Sequence, residues 1–382
     1  MLIRFNVKNF LSFSANAEGR SEEFSMIAGK VRSKKEHVYD NGKIKLLKLA
    51  AVYGANASGK SNLVKALDFM KQTVIKGLPD GYSNKYCKSN ESNRDIPSYF
   101  EIELKLGEKY YAYGFEVLLN QGEFQSEWLV ELTSDNKEKT IFTRDIKQSV
   151  YELGNDLSTK ELGQKMNNYA EDIQDDGSTL FLTVMNYKGA SILQDVYLWL
   201  KKGLDINYPD RPISNYSYMA SMENVDEICD MIAAFGTGIT DYKLVEVPVE
   251  NVLAHIPNEA QTQMLKRMER YYSAVQNMID HKISEDNNVP ENTGIIMRSN
   301  RDFFILQIKG QKLVCQTIQF EHNKNDILFE LSEESDGTVR ILDLLEILLS
   351  DEGKTYVVDE LDRCLHPSLT YKFIETYLKL AA

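Results

Sequence analysis

The sequence predicts a mixed α/β protein: an α/β head containing an antiparallel β meander and split by a helical insertion. Three observations carry this expectation. A strand-like apolar run leads into a glycine-rich loop and then into a helical pattern after residue 60. Four short alternating segments follow one another between residues 99 and 144, and the middle of the chain turns helical before strands return near residue 303. At 382 residues the chain exceeds the size at which a single core keeps growing, so more than one compact unit is expected.

The opening Leu2-Ile3-Arg4-Phe5-Asn6-Val7 alternates apolar and polar residues as a half-buried strand does, and residues 24–28 and 46–53 supply two more strands. The third is a nearly continuous apolar run, the pattern of a buried strand, and it ends at Gly54. After Lys60, the residues Leu63, Val64, Leu67, Phe69 and Met70 recur with roughly helical period. Residues 100–104, 110–118, 128–132 and 140–143 read as strands separated by polar turns, hence an antiparallel meander. From about residue 161 the pattern is mainly helical, with segments near 180–186, 192–202, 225–235 and 260–283, closed by the acidic, Asn-rich linker 284–292. Strands at 303–308, 312–319 and 327–331 lead into an amphipathic helix at 338–349, a short buried strand at 355–358 and a helix after Pro367. The expected division is therefore 1–160 as an N-terminal lobe, 161–300 as the helical insertion and 301–382 as a C-terminal lobe. Neither an internal repeat nor a sustained heptad pattern is present, which excludes a long coiled-coil arm within this sequence.

Composition narrows the class. Hydrophobic residues at 43% and charged residues at 26% are those of a soluble globular chain, not of a disordered, collagenous or membrane-spanning one. A net charge of −13 opposes a broadly basic surface for nonspecific nucleic-acid binding. The best basic cluster, Lys30, Arg32, Lys34, Lys35 and His37 followed by Lys43, Lys45 and Lys48, reads as a solvated loop and edge. Cys87, Cys229, Cys315 and Cys364 are far apart and lack zinc-site or disulfide spacing, which fits a reducing cytosol. No run reaches the 18 or so apolar residues of a membrane span and no signal peptide is recognisable, so the expected location is cytoplasmic.

Two motifs carry chemistry. Gly54-Ala55-Asn56-Ala57-Ser58-Gly59-Lys60-Ser61, followed by Asn62, has the G-x-x-x-x-G-K-S form of a Walker A phosphate loop. Its glycines let the backbone curl so that N–H groups converge on phosphates at the positive end of the following helix; Lys60 reaches the β- and γ-phosphates and the Ser61 hydroxyl ligates Mg²⁺. Thr355-Tyr356-Val357-Val358-Asp359-Glu360 has the form of a Walker B strand, with Asp359 holding Mg²⁺ and Glu360 polarising the attacking water as general base. Together they predict ATP and Mg²⁺ as substrate and cofactor. Between them, Ser335-Asp336-Gly337-Thr338 opens a helix and admits two readings. Ser335 or Asp336 is an N-cap and nothing more, or Ser335, the Gly337 N–H and the helix dipole face the γ-phosphate of an ATP held by another subunit.

These motifs, together with Asn9-Phe10-Leu11-Ser12-Phe13, Thr237-Gly238-Ile239 and Asp359-Glu360-Leu361-Asp362-Arg363-Cys364-Leu365-His366-Pro367, give the chain a resemblance to bacterial AAA-type ATP/GTP phosphatases grouped with RecF, SMC proteins and OLD nucleases. The resemblance covers nearly the whole chain. It implies an ABC-type P-loop head, an ATP-sandwich homodimer arranged head to tail, and a D-loop at Asp362 to His366 crossing that interface. It also implies a switch working with a separate effector, a nuclease or toxin, in phage defence. Asp336 stands where transporters carry glycine, as is usual in the group. The family fold runs on after the Pro367 helix into a strand carrying a switch histidine. The sequence stops at Leu380-Ala381-Ala382 and no residue fills that role, so the expectation is a chain truncated before that strand, with ATP binding better founded than hydrolysis.

The remaining histidines, His37, His255, His281 and His322, show no metal-ligand spacing, and the tyrosines and Trp128 and Trp199 read as packing residues. Two other functions fit the same motifs: a repair or recombination ATPase that clamps DNA, which the net charge weakens, and a nonhydrolysing scaffold that uses ATP only to assemble. The carboxylate and histidine cluster of a nuclease is not visible in the sequence.

Overall fold

The computed structural model describes residues 1–14, 19–133, 137–155, 161–186, 191–248, 295–298, 301–309, 312–322, 327–350 and 353–381. The chain divides into two compact units, Met1–Asn207 with Ser350–Asp359 and Tyr377–Ala382, and Tyr208–Leu349 with Glu360–Thr376. The helix expected at 260–283, the linker at 284–292, His255 and His281 lie outside the described residues.

The first unit is built on a seven-stranded antiparallel sheet. Its strands are β1 (Leu2–Lys8), β2 (Glu22–Ser25), β5 (Ser98–Leu106), β6 (Lys109–Leu118), β7 (Glu123–Leu132), β8 (Glu138–Asp145) and β9 (Val150–Leu153), in the order β2-β1-β5-β6-β7-β8-β9. The meander read from sequence is thus β5 to β8, and it is continuous with β1, which pairs with β5 through Phe5↔Ile102 and Val7↔Phe100. Strand alternation explains the burial: Phe5, Val7, Phe100, Ile102, Leu104, Tyr113, Phe115 and Val117 all face the core. Helix α1 (Lys60–Lys76) lies on this face and buries Val64, Leu67, Phe69 and Met70, the stripe its sequence period marks. The rings of Phe10, Phe69 and Phe100 meet at centroid distances of 4.8 to 5.1 Å. They fasten the helix to the sheet and to the turn after β1.

A hairpin of β3 (Val38–Asp40) and β4 (Lys45–Leu47) precedes the glycine-rich loop. The buried strand expected at 46–53 ends at Leu47: residues 48–53 form no strand, and Val52 and Tyr53 are 51% and 88% exposed. Apolar composition alone does not make a strand; a ladder partner is required, and none pairs with these residues among those described.

Helices α2 (Glu161–Asp172), α3 (Phe181–Asn186) and α4 (Ser191–Leu198) follow, the last running through a π turn at Trp199–Gly203 into β10 (Leu204–Asn207). Residues 161–207 pack in the first unit, where β10 pairs in parallel with β16 (Thr355–Val358), Leu204↔Thr355 to Asn207↔Val358. Glu127, buried in β7, accepts hydrogen bonds from Tyr113 Oη at 3.0 Å and from the Phe181 and Leu182 amides at 2.6 and 3.0 Å, so a carboxylate from the meander caps α3.

The second unit carries α5 (Val225–Ala234) and a sheet of β11 (Ile239–Val247), β12 (Ile295–Arg298), β13 (Phe303–Lys309), β14 (Lys312–His322) and β15 (Leu328–Glu330), ordered β11-β14-β13-β12 with β15 on β14. Helix α6 (Asp336–Leu349) departs from the amphipathic expectation: residues 338–345 are all buried, including Arg340 and Asp343. These charges gave the sequence its amphipathic look, yet both find partners inside, Asp343 in Arg298 and Arg340 in the Glu360 carbonyl. Arg298 donates to Tyr216 Oη at 2.8 Å, covers the Tyr216 ring at 4.4 Å and reaches Asp343 Oδ1 at 3.4 Å. Helix α7 (Pro367–Leu380) ends the chain's regular structure. Among the described residues, no helix is long and apolar enough to cross a membrane.

Burial lifts the Asp343 carboxyl to about 6 in spite of Arg298 beside it. A carboxyl raised on folding binds its proton more tightly in the native state, so this contribution to stability is largest below pH 4 and is lost as pH rises through 6. A rise from the ordinary aspartate value near 4 is equivalent to about 3 kcal/mol. Urea unfolding at pH 4 and pH 7 tests this: the stability of wild type minus that of Asp343→Asn should fall by about that amount across the interval, and an equal difference at both pH values contradicts it.

Candidate functional site

The glycine-rich loop sits between the irregular residues 48–53 and α1. A side chain at Gly54 would place its Cβ 2.6 Å from Ser58 Oγ. Ala57 and Gly59 take left-handed backbone angles, φ 62° and 97°, and the Ser58 amide closes a turn on Ala55 O at 3.2 Å. Left-handed residues within a tight turn are the backbone element from which anion-binding nests are built. Lys60 Nζ lies within it, donating to Gly54 O at 2.7 Å and Ala55 O at 2.9 Å. Gly59 provides no side-chain cap for α1, and the amides of Gly59, Lys60 and Ser61 donate to no described protein group. A 17-residue helix thus opens with free donors beside a lysine. Gly54, Asn56, Ala57 and Ser58 are exposed and Gly59 to Asn62 are half-buried. The arrangement can hold a polyanion: an ammonium now resting on carbonyls can exchange them for phosphate oxygens, and the free amides have no other partner.

A second segment supports this loop. Asn9, 3% exposed and left-handed at φ 54°, donates through Nδ2 to Asn93 O and Ile96 O, each at 2.8 Å, while its Oδ1 accepts from the Cys87 amide at 3.2 Å. The turn so anchored presents Ser12, whose Oγ accepts from Asn62 Nδ2 at 2.9 Å and lies 2.9 Å from where a Gly59 Cβ would stand. A side chain at residue 59 would displace the Ser12 hydroxyl and strain a backbone held at φ 97°.

Asp359 stands at the end of β16, and its amide continues the parallel ladder to Asn207 O at 2.9 Å. The strand is half-buried along its length, less than the sequence suggests, with β10 as its partner among the described strands. The Walker A helix reaches it indirectly, since α1 packs on β10 and Lys71 Nζ donates to Leu204 O. Among the described residues no three His, Cys, Asp or Glu side chains converge as a metal cage. A hydroxyl from Ser61 and one carboxylate from Asp359 suit Mg²⁺, which draws its remaining ligands from water and phosphate.

Ser335, Asp336, Gly337 and Glu360 belong to the second unit. Ser335 is the N-cap of α6: its Oγ accepts from the Thr338 amide at 3.0 Å and meets Thr338 Oγ1 at 2.9 Å. Arg301 straddles it, donating to Glu334 O and Asp336 Oδ1, and the buried Glu334 carboxylate meets His322 Nε2 at 2.7 Å. Gly337 leaves no spare room, since a Cβ there would lie 3.1 Å from Cys364 O. Glu360 is exposed and left-handed at φ 50°; its carbonyl accepts from Arg340 Nη2 and from the Arg363 amide, both at 3.0 Å. Turns at Asp362 and His366 follow, and His366 Nδ1 lies 2.7 Å from Ser368 Oγ at the start of α7.

Each motif thus forms a local turn or cap, in the first unit for residues 54–62 and Asp359 and in the second for residues 335–337 and Glu360. Sequence reading gave no role to Arg301 or Arg340, and it placed Ser12 in a motif without assigning it a contact. Arg340 had a visible signal, an arginine inside an otherwise apolar run, Val339-Arg340-Ile341-Leu342.

No curated protein matches the chain. A family profile described as an AAA domain, putative AbiEii toxin, type IV TA system, matches residues 49–172 and 251–382. The first stretch opens just ahead of the Gly54 to Ser61 loop and the second ends beyond Asp359 and Glu360. With more than half of its length matched, the chain belongs to this family of AAA-domain P-loop ATPases.

Proposed function

We propose that the chain is the ATP-driven switch of a bacterial toxin-antitoxin or phage-defence system, an ABC-type head of the RecF, SMC and OLD kind. In this reading it closes as a head-to-tail homodimer on two ATP molecules and controls a separate effector, a nuclease or toxin. Residues 1–160 and 301–382 then carry the head's motifs, with 161–300 inserted between them. The observation that supports it most is the first turn of α1, whose Gly59, Lys60 and Ser61 amides find no partner among the described residues beside the Lys60 ammonium.

The chemistry follows from the residues. Lys60 and the loop amides bind the β- and γ-phosphates, offsetting the charge that collects there as the γ-phosphoryl group leaves. Ser61 and Asp359 would hold Mg²⁺, which would further neutralise the phosphate oxygens. Glu360 accepts the proton of the water that attacks γ-phosphorus; a P–O bond to that water forms, the bond to the β–γ bridging oxygen breaks, and ADP and phosphate result. Ser335 and the Gly337 amide of a second copy complete the γ-phosphate contacts, so that binding and dimer closure are one event. The cap that Ser335 makes on α6 is compatible with this role: when Thr338 Oγ1 donates in its contact with Ser335 Oγ, the Ser335 hydroxyl accepts from the Thr338 side chain and amide and keeps its own proton to give. The overall charge of −13 favours this reading over a DNA clamp.

Two expectations test it. Lys60→Ala should abolish ATP binding by calorimetry, whereas Glu360→Gln should bind ATP as wild type does and lower turnover by about 10² to 10⁴; undiminished turnover removes Glu360 from the mechanism. The solution mass should double on addition of ATP-Mg²⁺ for wild type and Glu360→Gln but not for Ser335→Arg. Doubling in all three overturns the signature assignment, and an ATP-independent mass in all three overturns the switch.

A further inference from the structure

Glu360 has an arrangement that an ordinary strand end does not need. Its backbone is left-handed, a conformation costing a non-glycine residue about 1 to 2 kcal/mol. It is exposed, so no packing of its own side chain compensates. What holds it is its carbonyl, which takes two donors, the Arg363 amide of the following turn and the guanidinium of Arg340. Arg340 is 7% exposed, and its Nε is buried without a hydrogen-bond partner among the described atoms. Burying an arginine on a helix with part of its hydrogen-bonding capacity unused is costly unless the bond it does make is required.

Arg340 lies on the helix that Ser335 caps, and one turn before it Gly337 packs against Cys364 O. The first two turns of α6 and the turn 360–364 are therefore joined at two points, a close backbone approach and a charged hydrogen bond, within one compact unit. The backbone sets the direction of the Cα–Cβ bond, so whatever holds the Glu360 carbonyl restricts the space its carboxylate can reach, with the side-chain torsions setting the rest.

We propose that Arg340 is the positioning residue of the hydrolytic base: through the Glu360 carbonyl it holds the left-handed backbone from which the Glu360 carboxylate projects, and ties that backbone to the helix that opens at Ser335. This rests on the ATPase reading above and adds to it a route by which engagement at Ser335 reaches the base of the same chain. Arg340 touches neither substrate nor metal in this scheme, and it acts only through residue 360.

The full chain carrying Arg340→Met, which keeps length and apolar bulk but donates nothing, separates positioning from fold. Steady-state turnover should show kcat down by about 10- to 100-fold with KM for ATP within about threefold. ATP-Mg²⁺ should still double the mass, and Arg340→Lys, which restores a donor, should recover part of kcat. Amide hydrogen exchange in peptides covering 360–366 should quicken while peptides covering 100–117 keep wild-type rates. Wild-type kcat together with unchanged exchange at 360–366 overturns the proposal, as does a parallel loss of kcat, ATP affinity and mass doubling. If Arg340→Met does not fold, Arg340→Lys carries the test: wild-type kcat on a chain whose melting temperature has dropped assigns Arg340 to the fold alone. Quickened exchange in Arg340→Met, with a wild type that neither hydrolyses ATP nor changes mass, instead overturns the ATPase reading and leaves the Arg340 contact standing.

Discussion

The contact of Phe10, Phe69 and Phe100 is the constraint on which the first unit turns. Each ring comes from a different element: Phe10 from the turn after β1, Phe69 from α1 and Phe100 from β5. Buried aromatic rings contribute large apolar area and a preferred geometry, so three together fix both the position and the rotation of α1 on the sheet. Rotation matters because the phosphate loop has little stabilisation of its own. It is exposed, its helix lacks a side-chain cap, and its lysine rests on its own carbonyls. A loop built for an anion leaves its donors unused until the anion arrives, and the order lost there must be supplied from behind. Asn9 supplies it on the other side, binding residues 87, 93 and 96 so that Ser12 stands against Gly59.

Helix α6 follows the same logic in the second unit by other means. It is buried almost all round, yet it carries Arg340 and Asp343 one turn apart. Charges buried this way add little net stability, because desolvation consumes most of what pairing returns. Their use is specificity: Asp343 faces Arg298 and Tyr216, Arg340 faces the Glu360 carbonyl, and a rotation of the helix would leave both groups buried without partners. Apolar packing would tolerate such a rotation far better.

Much of this was legible in the sequence. The α1 stripe, the meander from β5 to β8, the opening of α6 at Ser335 and the placement of Asp359 at a strand end all depend on local period or local capping, which a sequence displays directly. What was not legible depends on partners distant in the chain. Residues 48–53 look like a buried strand because their composition is apolar, but a strand also needs a ladder, and here Tyr53 faces solvent. Strand β10 lies inside a helical stretch and has only four residues; it is a strand because β16, about 150 positions later, pairs with it. Arg340 and Asp343 made α6 look amphipathic for a related reason, since a charged residue read alone is assigned to water.

Backbone strain shows the same division between local pattern and distant support. Of ten non-glycine residues with positive φ among those described, Asn9, Leu11, Ala57, Glu360 and Cys364 lie in the motif loops. Left-handed backbone persists only where surroundings over-determine it. At Asn9 the surroundings are three hydrogen bonds to the 87–96 segment; at Leu11, its amide bond to Lys85 O; at Glu360, the Arg340 guanidinium and the next turn. At Ala57 the described contacts provide nothing comparable, only the neighbouring Ser58 turn. Support from elsewhere in the chain therefore reaches this loop at its helical end, where Ser12 meets Asn62 and Gly59, and leaves the left-handed backbone at Ala57 to the loop's own turn.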